Sequence, residues 1–316
     1  MNVSSHQVVL RTENLTKHFG DVEAVRGLTL EVYEGEVFGF LGPNGAGKTT
    51  SINMMCGLLK PDAGQVTIHG QLVRGGEAAV IRRVGVCPQN ITLWPSLTCL
   101  EQMTFMGEMY NVPTRIARQR SQTLLEQMGL SEKMNKQAGT LSGGMQRRLN
   151  LIMALVHDPD ILVLDEPEAG LDPQSRVLMR EYIQSLARQK TVILTTHNMD
   201  EAERLADRVA IIDHGQLLQL DTPDHLKRQI GEGDVLEIGL DTDDQVKRAC
   251  EQVSRIIPTV SIADHTLVIR ARNVVEQLPA VLDSLKSNRL NLSDVRLRAS
   301  TLEDVFIALT GRRLRE

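Results

Sequence analysis

Val37-Phe38-Gly39-Phe40-Leu41-Gly42-Pro43-Asn44-Gly45-Ala46-Gly47-Lys48-Thr49-Thr50 is a five-residue apolar run that opens directly into the pattern Gly-x-x-x-x-Gly-Lys-Thr. The run Val37 to Leu41 has the look of a strand buried on both faces of a parallel sheet. The residues from Lys48 to Leu59 are expected to form a helix. In that strand–loop–helix setting the glycines let backbone N–H groups curl around phosphate oxygens, and the helix N-terminus adds positive potential. Lys48 then reaches the β- and γ-phosphates of a nucleotide, and Thr49 offers its hydroxyl to Mg²⁺.

Outward from this loop, three more short apolar runs suit the same parallel sheet: Ile161 to Leu164, Thr191 to Thr195 and Val209 to Ile212. The first of these runs, Ile161-Leu162-Val163-Leu164, ends in Asp165 and Glu166. At the carboxyl end of a parallel strand, Asp165 is placed to hold Mg²⁺ through water and Glu166 to polarise an attacking water. Another texture surrounds the loop. Leu28, Leu30 and Val32 alternate with Thr29, Glu31 and Tyr33, and Val66 and Ile68 with Thr67 and His69, as in half-buried antiparallel strands. Between Glu101 and Ala154 the apolar spacing turns helical. One domain therefore combines an antiparallel layer, a parallel α/β core and a helical insert.

The segment Leu141-Ser142-Gly143-Gly144-Met145-Gln146, leading into a helix with Arg147 and Arg148, resembles the signature motif of ATP-binding cassette (ABC) ATPases. Other landmarks of that family follow in the expected order. Gln89 matches the Q-loop, Gly170-Leu171-Asp172-Pro173 the D-loop, His197 the switch histidine, and Phe19 the aromatic that stacks on adenine. Taken alone each has an ordinary reading: Gln89 as a polar loop residue, His197 as a strand-end cap, Phe19 as a core ring. The resemblance covers about Val8 to Leu226. It implies a P-loop NTPase fold that binds ATP and Mg²⁺ and hydrolyses ATP. Phe19, Gly42 to Thr50, Ser142, Gly143, Gly144 and Asp172 would contact nucleotide; Thr49, Gln89 and Asp165 would hold the metal; Glu166, His197 and Gln89 would carry the chemistry. Ser142 in this family caps the γ-phosphate held by the P-loop of another chain. One P-loop and one signature motif thus imply a head-to-tail dimer with a second copy of the chain, closed by ATP.

Two positions depart from the common pattern. Met145 stands where glutamine is commonest, and resembles the subset serving drug-resistance and other ABC-2 type exporters. Glu168 occupies a position more often Thr or Ser. It is expected as an exposed acid in the turn before Gly170, the alternative being that it weakens closure or shifts the Mg²⁺ site. The uncharged run Val84 to Leu100 is too short for a membrane span and carries Pro88 and Pro95. Ile91, Leu93 and Trp94 lie in it, where members of the family meet the coupling helix of a membrane partner.

The chain has 316 residues, a formal charge of −5, 41% hydrophobic and 3% aromatic residues. Mild acidity and few aromatics argue against nucleic acid as a partner. Cys56, Cys87, Cys99 and Cys250 are too scattered for a zinc or disulfide framework. No export leader is evident at the N-terminus, so a cytoplasmic protein, peripheral on the cytoplasmic face of the cell membrane, is expected. Gly231 and Gly233 mark a linker, which bounds an ATPase domain at 1–228 and an accessory domain at 234–316. The latter reads β-α-β-β-α-β, a small α+β ferredoxin-like pattern, and Asp241, Asp243 and Asp244 in it read as a solvated turn. Ser300 and Glu303 are expected to box the start of a last helix that Gly311 ends. That tail resembles the accessory domain of daunorubicin-resistance type cassette ATPases. The resemblance implies the ATPase subunit of an ABC-2 type exporter with separate integral membrane subunits. The alternatives are an importer ATPase or a non-transport cassette ATPase.

Overall fold

A computed structural model describes residues 7–74, 78–229, 234–257, 259–263, 265–271, 274–288, 290 and 292–311. It divides into two compact units, Met1–Leu220 and Asp221–Glu316. The expected linker at 230–233 lies outside the described residues.

In the first unit β1 (Val8–Phe19) and β2 (Val22–Tyr33) form a long hairpin, followed by β3 (Val37–Leu41) and α1 (Lys48–Met55). Then come β4 (Ala63–Ile68), β5 (Gln71–Leu72), α2 (Ala78–Ile81), β6 (Val84–Cys87), α3 (Cys99–Met109), α4 (Thr114–Gln127) and α5 (Gly143–Met153). The unit continues with β7 (Ile161–Asp165), α6 (Pro173–Leu186), β8 (Thr191–Thr196), α7 (Met199–Leu205), β9 (Arg208–Asp213) and β10 (Gln216–Asp221). An antiparallel sheet runs β2-β1-β4-β5, and a six-stranded sheet runs β10-β9-β3-β8-β7-β6. Within the latter, β9, β3, β8, β7 and β6 pair in parallel. Strand β6 occupies the start of the uncharged run, which the sequence reading left without a strand. Helix α1 stops four residues short of Leu59, because Leu58 and Leu59 N–H both turn back to the Asn53 carbonyl and Gly57 adopts φ +71°.

The parallel strands are apolar on both faces because each face has its own core. Phe38, Phe40, Val163 and Ile193 point toward the antiparallel layer and pack with Leu10, Leu28, Leu30, Val66, Ile68 and Ile52. Val37, Leu162, Leu164 and Leu194 point the other way, onto Met103, Leu125, Leu149, Ile152, Met179 and Ile183 of the helices. Each such fully buried side chain contributes about 1.5–3 kcal/mol. The alternation in β2 buries Leu28, Leu30 and Val32 and leaves Thr29 exposed.

The second unit holds α8 (Pro223–Gln229), β11 (Asp234–Leu240), α9 (Asp243–Val253), β12 (Val260–Ala263), β13 (Thr266–Ala271), α10 (Val274–Ser287), β14 (Leu292–Ala299) and α11 (Leu302–Thr310). The sheet order β12-β13-β11-β14, antiparallel throughout, is that of a split β-α-β pair. Helix α8, which the sequence reading did not expect, packs on α11 with Leu226 fully buried, and the first compact unit ends at Leu220, before the expected bound at 228. The capping box of α11 also sits one residue later than expected. Thr301, not Ser300, is the cap, and its N–H donates to the Asp304 carboxylate at 2.9 Å. Gly311 closes the helix at φ +72°. Among the described residues, no helix is long and apolar enough to cross a membrane.

Candidate active site

The parallel pairing order places the carboxyl ends of β3, β8, β7 and β6 side by side, and each carries site residues just beyond its last rung. Leu41 is level with Thr196, and Asp165 with Thr195. Consequently the phosphate-binding loop after β3, His197 after β8, Asp165 and Glu166 at the end of β7, and Gln89 after β6 line one edge.

Two glycines of the loop are required by space, and one of them, Gly47, by conformation as well. Gly47 caps α1 at φ +97°, and a Cβ there would lie 2.4 Å from the Ala24 carbonyl oxygen; one at Gly42 would lie 2.3 Å from that of Ile212. Gly45, at φ +81°, faces open space, and Ala46 is buried behind the loop with its N–H donating to the Pro43 carbonyl. Lys48 Nζ lies folded into the loop, donating to the carbonyls of Gly42 (2.8 Å) and Pro43 (3.1 Å). Burial pulls its ammonium below the ordinary lysine range, while Glu166 and Asp165 act the other way. A phosphate arriving at the loop would replace those carbonyls as the partner of Nζ.

The Thr49 hydroxyl donates to Asp165 Oδ2 at 3.2 Å. Asp165 Oδ1 accepts from the Thr195 hydroxyl, whose oxygen in turn accepts the Glu166 N–H at 3.0 Å. Glu166 sits in the left-handed region at φ +48°, a conformation that costs a residue with a side chain about 1–3 kcal/mol and that concentrates at functional sites. Its two oxygens are shared between Gln89 Nε2 (2.9 Å) and His197 Nδ1 (3.0 Å). Phe19 closes β1 with its ring 53% exposed, and Lys17 Nζ lies 5.7 Å from the ring centre. It is a surface aromatic, not a core ring.

The signature segment forms a separate group. Ser142 is the exposed N-cap of α5, its hydroxyl accepting the Met145 N–H, with Gly143 and Gly144 in the first turn. Asp172 caps α6, taking the N–H (3.0 Å) and hydroxyl (2.7 Å) of Ser175 on its two oxygens. The two helix starts touch: a Cβ on Gly144 would come within 2.8 Å of Ser175 Oγ. Among the described residues, no hydrogen bond or ion pair joins Ser142 to Lys48 or Thr49.

Sequence reasoning passed over Arg147. Buried at 3% exposure, its guanidinium donates to five carbonyls: Pro88 and Gln89 after β6, and Asp165, Glu166 and Pro167 after β7. All five of its N–H donors are used, so one side chain of α5 ties the Gln89 loop to the acidic turn. The available signal was its place in the signature helix. Thr195 was also missed, since a threonine ending an apolar strand carries no mark of its partners.

Glu168 corrects an expectation. It is 5% exposed and pairs with Arg180 at 3.0 Å. Arg180 lies two turns into α6 on the inward side, which is why the acid can be buried here. The described residues contain no group of three or more His, Cys, Asp or Glu placed to hold a metal by themselves. The Thr49 and Asp165 oxygens together with the Gln89 amide nevertheless offer the hard oxygen donors that Mg²⁺ takes, and it commonly completes its shell with nucleotide phosphates and water.

Comparison with known proteins adds a second line. The ABC transporter family profile matches residues 25–169. The chain is 35% identical to the linearmycin resistance ATP-binding protein LnrL of Bacillus subtilis (strain 168), over 98% of this chain and 100% of that one. It is 41% identical to the Nod factor export ATP-binding protein I of Burkholderia lata, over 96% of this chain and 97% of that one. Among solved structures it resembles a dimeric post-hydrolysis state of an ATP-binding cassette bound to ADP and Pi, with TM-score 0.62 and 26% identity, over 67% of this chain and 98% of that one. An ADP-bound cassette of another ABC transporter gives TM-score 0.63 at 27% identity, over 69% of this chain and 92% of that one.

Proposed function

This chain belongs to the ABC transporter family as an ATP-hydrolysing, ATP-binding subunit, and from that premise we propose that it powers an ABC-2 type exporter whose membrane-spanning subunits are separate chains. The observation that carries the reading is the convergence of Lys48, Thr49, Asp165, Glu166, Gln89 and His197 on one sheet edge. The export names of relatives matched over nearly the whole chain favour the direction.

The roles follow from the chemistry of each group. Backbone N–H groups of Gly42, Asn44, Gly45 and Gly47 to Thr50 cradle the phosphates while Ala46 packs behind the loop, Lys48 neutralises the β- and γ-phosphates, and Phe19 stacks on the base. Mg²⁺, held by Thr49, Gln89 and through water by Asp165, would neutralise charge on the phosphate oxygens. Glu166 orients the water that attacks the γ-phosphorus, and His197 contacts the γ-phosphate. Each Glu166 oxygen accepts one bond, from Gln89 or from His197, and keeps a second lone pair with which to accept from a water. Ser142, Gly143, Gly144 and Asp172 serve the nucleotide of a second copy packed head to tail, as the exposed cap of α5 and its distance in bonding from Lys48 suggest. The dimeric state of a similar cassette supports this pairing.

Membrane subunits would dock at Trp94 and Phe105, an edge-to-face pair with centroids 5.6 Å apart and exposures of 39% and 46%, flanked by exposed Ile91. On this reading the protein works on the cytoplasmic face of the membrane, where ATP is supplied. The test of the catalytic assignment is Glu166→Gln: ATP binding retained, turnover reduced by about 10²–10⁴-fold, and an ATP-closed dimer accumulating. Unchanged hydrolysis would remove Glu166 from the mechanism.

A further inference from the structure

Behind Glu166 and His197 lies a group of charges that the roles above do not use. Glu201, in the first turn of α7, is 3% exposed, and Glu168 is 5% exposed. Glu168 Oε2 takes Arg180 at 3.0 Å and Glu201 Oε2 takes the Thr196 hydroxyl at 2.5 Å, while Oε1 of each meets no donor among the described residues. Two buried carboxylates therefore face one half-buried cation, which is paired with Glu168 alone, and a single proton would balance the charge.

The position of this group gives it leverage. Thr196 directly precedes His197, and its oxygen also accepts the Asn198 N–H at 2.9 Å, while Glu201 N–H donates to Asn198 Oδ1 at 3.3 Å. Glu201 thus holds the backbone on both sides of the histidine that contacts Glu166 Oε1. We propose that Glu201 is a positioning residue for His197, that it works in its protonated form, and that the Glu168–Arg180 pair sets when the proton leaves. This rests on the assignment of Glu166 and His197 as the catalytic pair.

Charges facing Glu201 come from Arg180 on α6 and from Glu166 and Glu168 after β7; β8 brings Thr196 and His197, and β3, which also packs on α7, carries no charge. Burial pushes the Glu201 carboxyl up to about 8, against the Thr196 hydrogen bond and Arg180, with Glu168 and Glu166 adding to the rise. Once ionised, Glu201 repels both neighbouring acids. The first turn of α7 shifts, and His197 leaves Glu166. The sign for Glu168 is opposite to that for Arg180: removing the acid lowers the pH at which Glu201 ionises, and removing the cation raises it.

The experiment is the pH profile of steady-state ATP hydrolysis with Mg²⁺, together with infrared titration of the protonated carboxyl band, in the full chain. Wild type should lose kcat as pH rises through about 8 with KM for ATP constant. Glu201→Gln, which still accepts from Thr196 but cannot ionise, should keep the low-pH kcat, lose the alkaline limb and lack the infrared band. Glu168→Gln should move both limb and band to lower pH by about one unit. A Glu201→Gln profile identical to wild type, or a band that survives in it, overturns the proposal; so does an unmoved limb in Glu168→Gln. Full turnover in Glu166→Gln or His197→Ala would instead overturn the assignment on which it rests.

Discussion

At the residue scale, Arg147 is held by its full bonding capacity. Arg147 gives every donor to a backbone carbonyl, and a lysine there could serve at most three of the five. Arg147→Lys is expected to cost about 2–3 kcal/mol, read from urea unfolding, and to lower turnover more than ATP affinity because the Gln89 loop and the acidic turn lose their common anchor. At Gly47, alanine would place a methyl on the Ala24 carbonyl oxygen in a conformation that L residues avoid. Nucleotide binding by Gly47→Ala should be lost in a fluorescent-ATP titration. Glu201 adds a linkage effect. Its folded value of about 8 exceeds the ordinary 4.5, so the folded chain holds an extra proton between those values. Stability conferred by that group is complete below the ordinary value and falls as pH rises through the window. Urea midpoints taken across that range should fall in wild type and fall less in Glu201→Gln.

At the element scale, helix starts make the signature region. Ser142 and Asp172 cap α5 and α6, whose first turns touch through Gly144 and Ser175. Ser142→Arg should leave nucleotide binding intact and prevent ATP-dependent dimer closure, seen by light scattering, since a guanidinium would occupy the anion site at the α5 N-terminus. Asp172→Ala should cost about 0.5–2 kcal/mol through its cap alone. Strands of the parallel sheet were legible because an apolar run with polar flanks has few other uses, and β2 and β4 because a half-buried strand must alternate. Boundaries set by tertiary partners were not. β6 lies in a run that is apolar without alternation, α1 ends where Asn53 captures two N–H groups, and the α11 cap fell on Thr301 because Asp304 pairs with Arg298 and reaches back from there.

At the scale of the whole molecule, the cassette has one glycine-rich loop before α1 and one signature helix start, and among the described residues no hydrogen bond joins them. A second copy is the economical way to complete both. Trp94 and Ile91 are exposed apolar side chains on the surface proposed to meet a membrane subunit. Replacing both with serine should abolish co-purification with that subunit and leave hydrolysis by the isolated chain in place. Sequence alone determined the identity of the chemistry: Gly42 to Thr49, Asp165 with Glu166, and Ser142 to Gly144 are local patterns whose spacing is set by the phosphate, the strand end and the helix cap they serve. Only the tertiary structure decided which of these meet, because parallel pairing brings Gln89, Glu166 and His197 from distant segments to one edge. It likewise decided the burial of Glu168, since an acid is solvated by default and only the placement of Arg180 across from it makes the interior affordable.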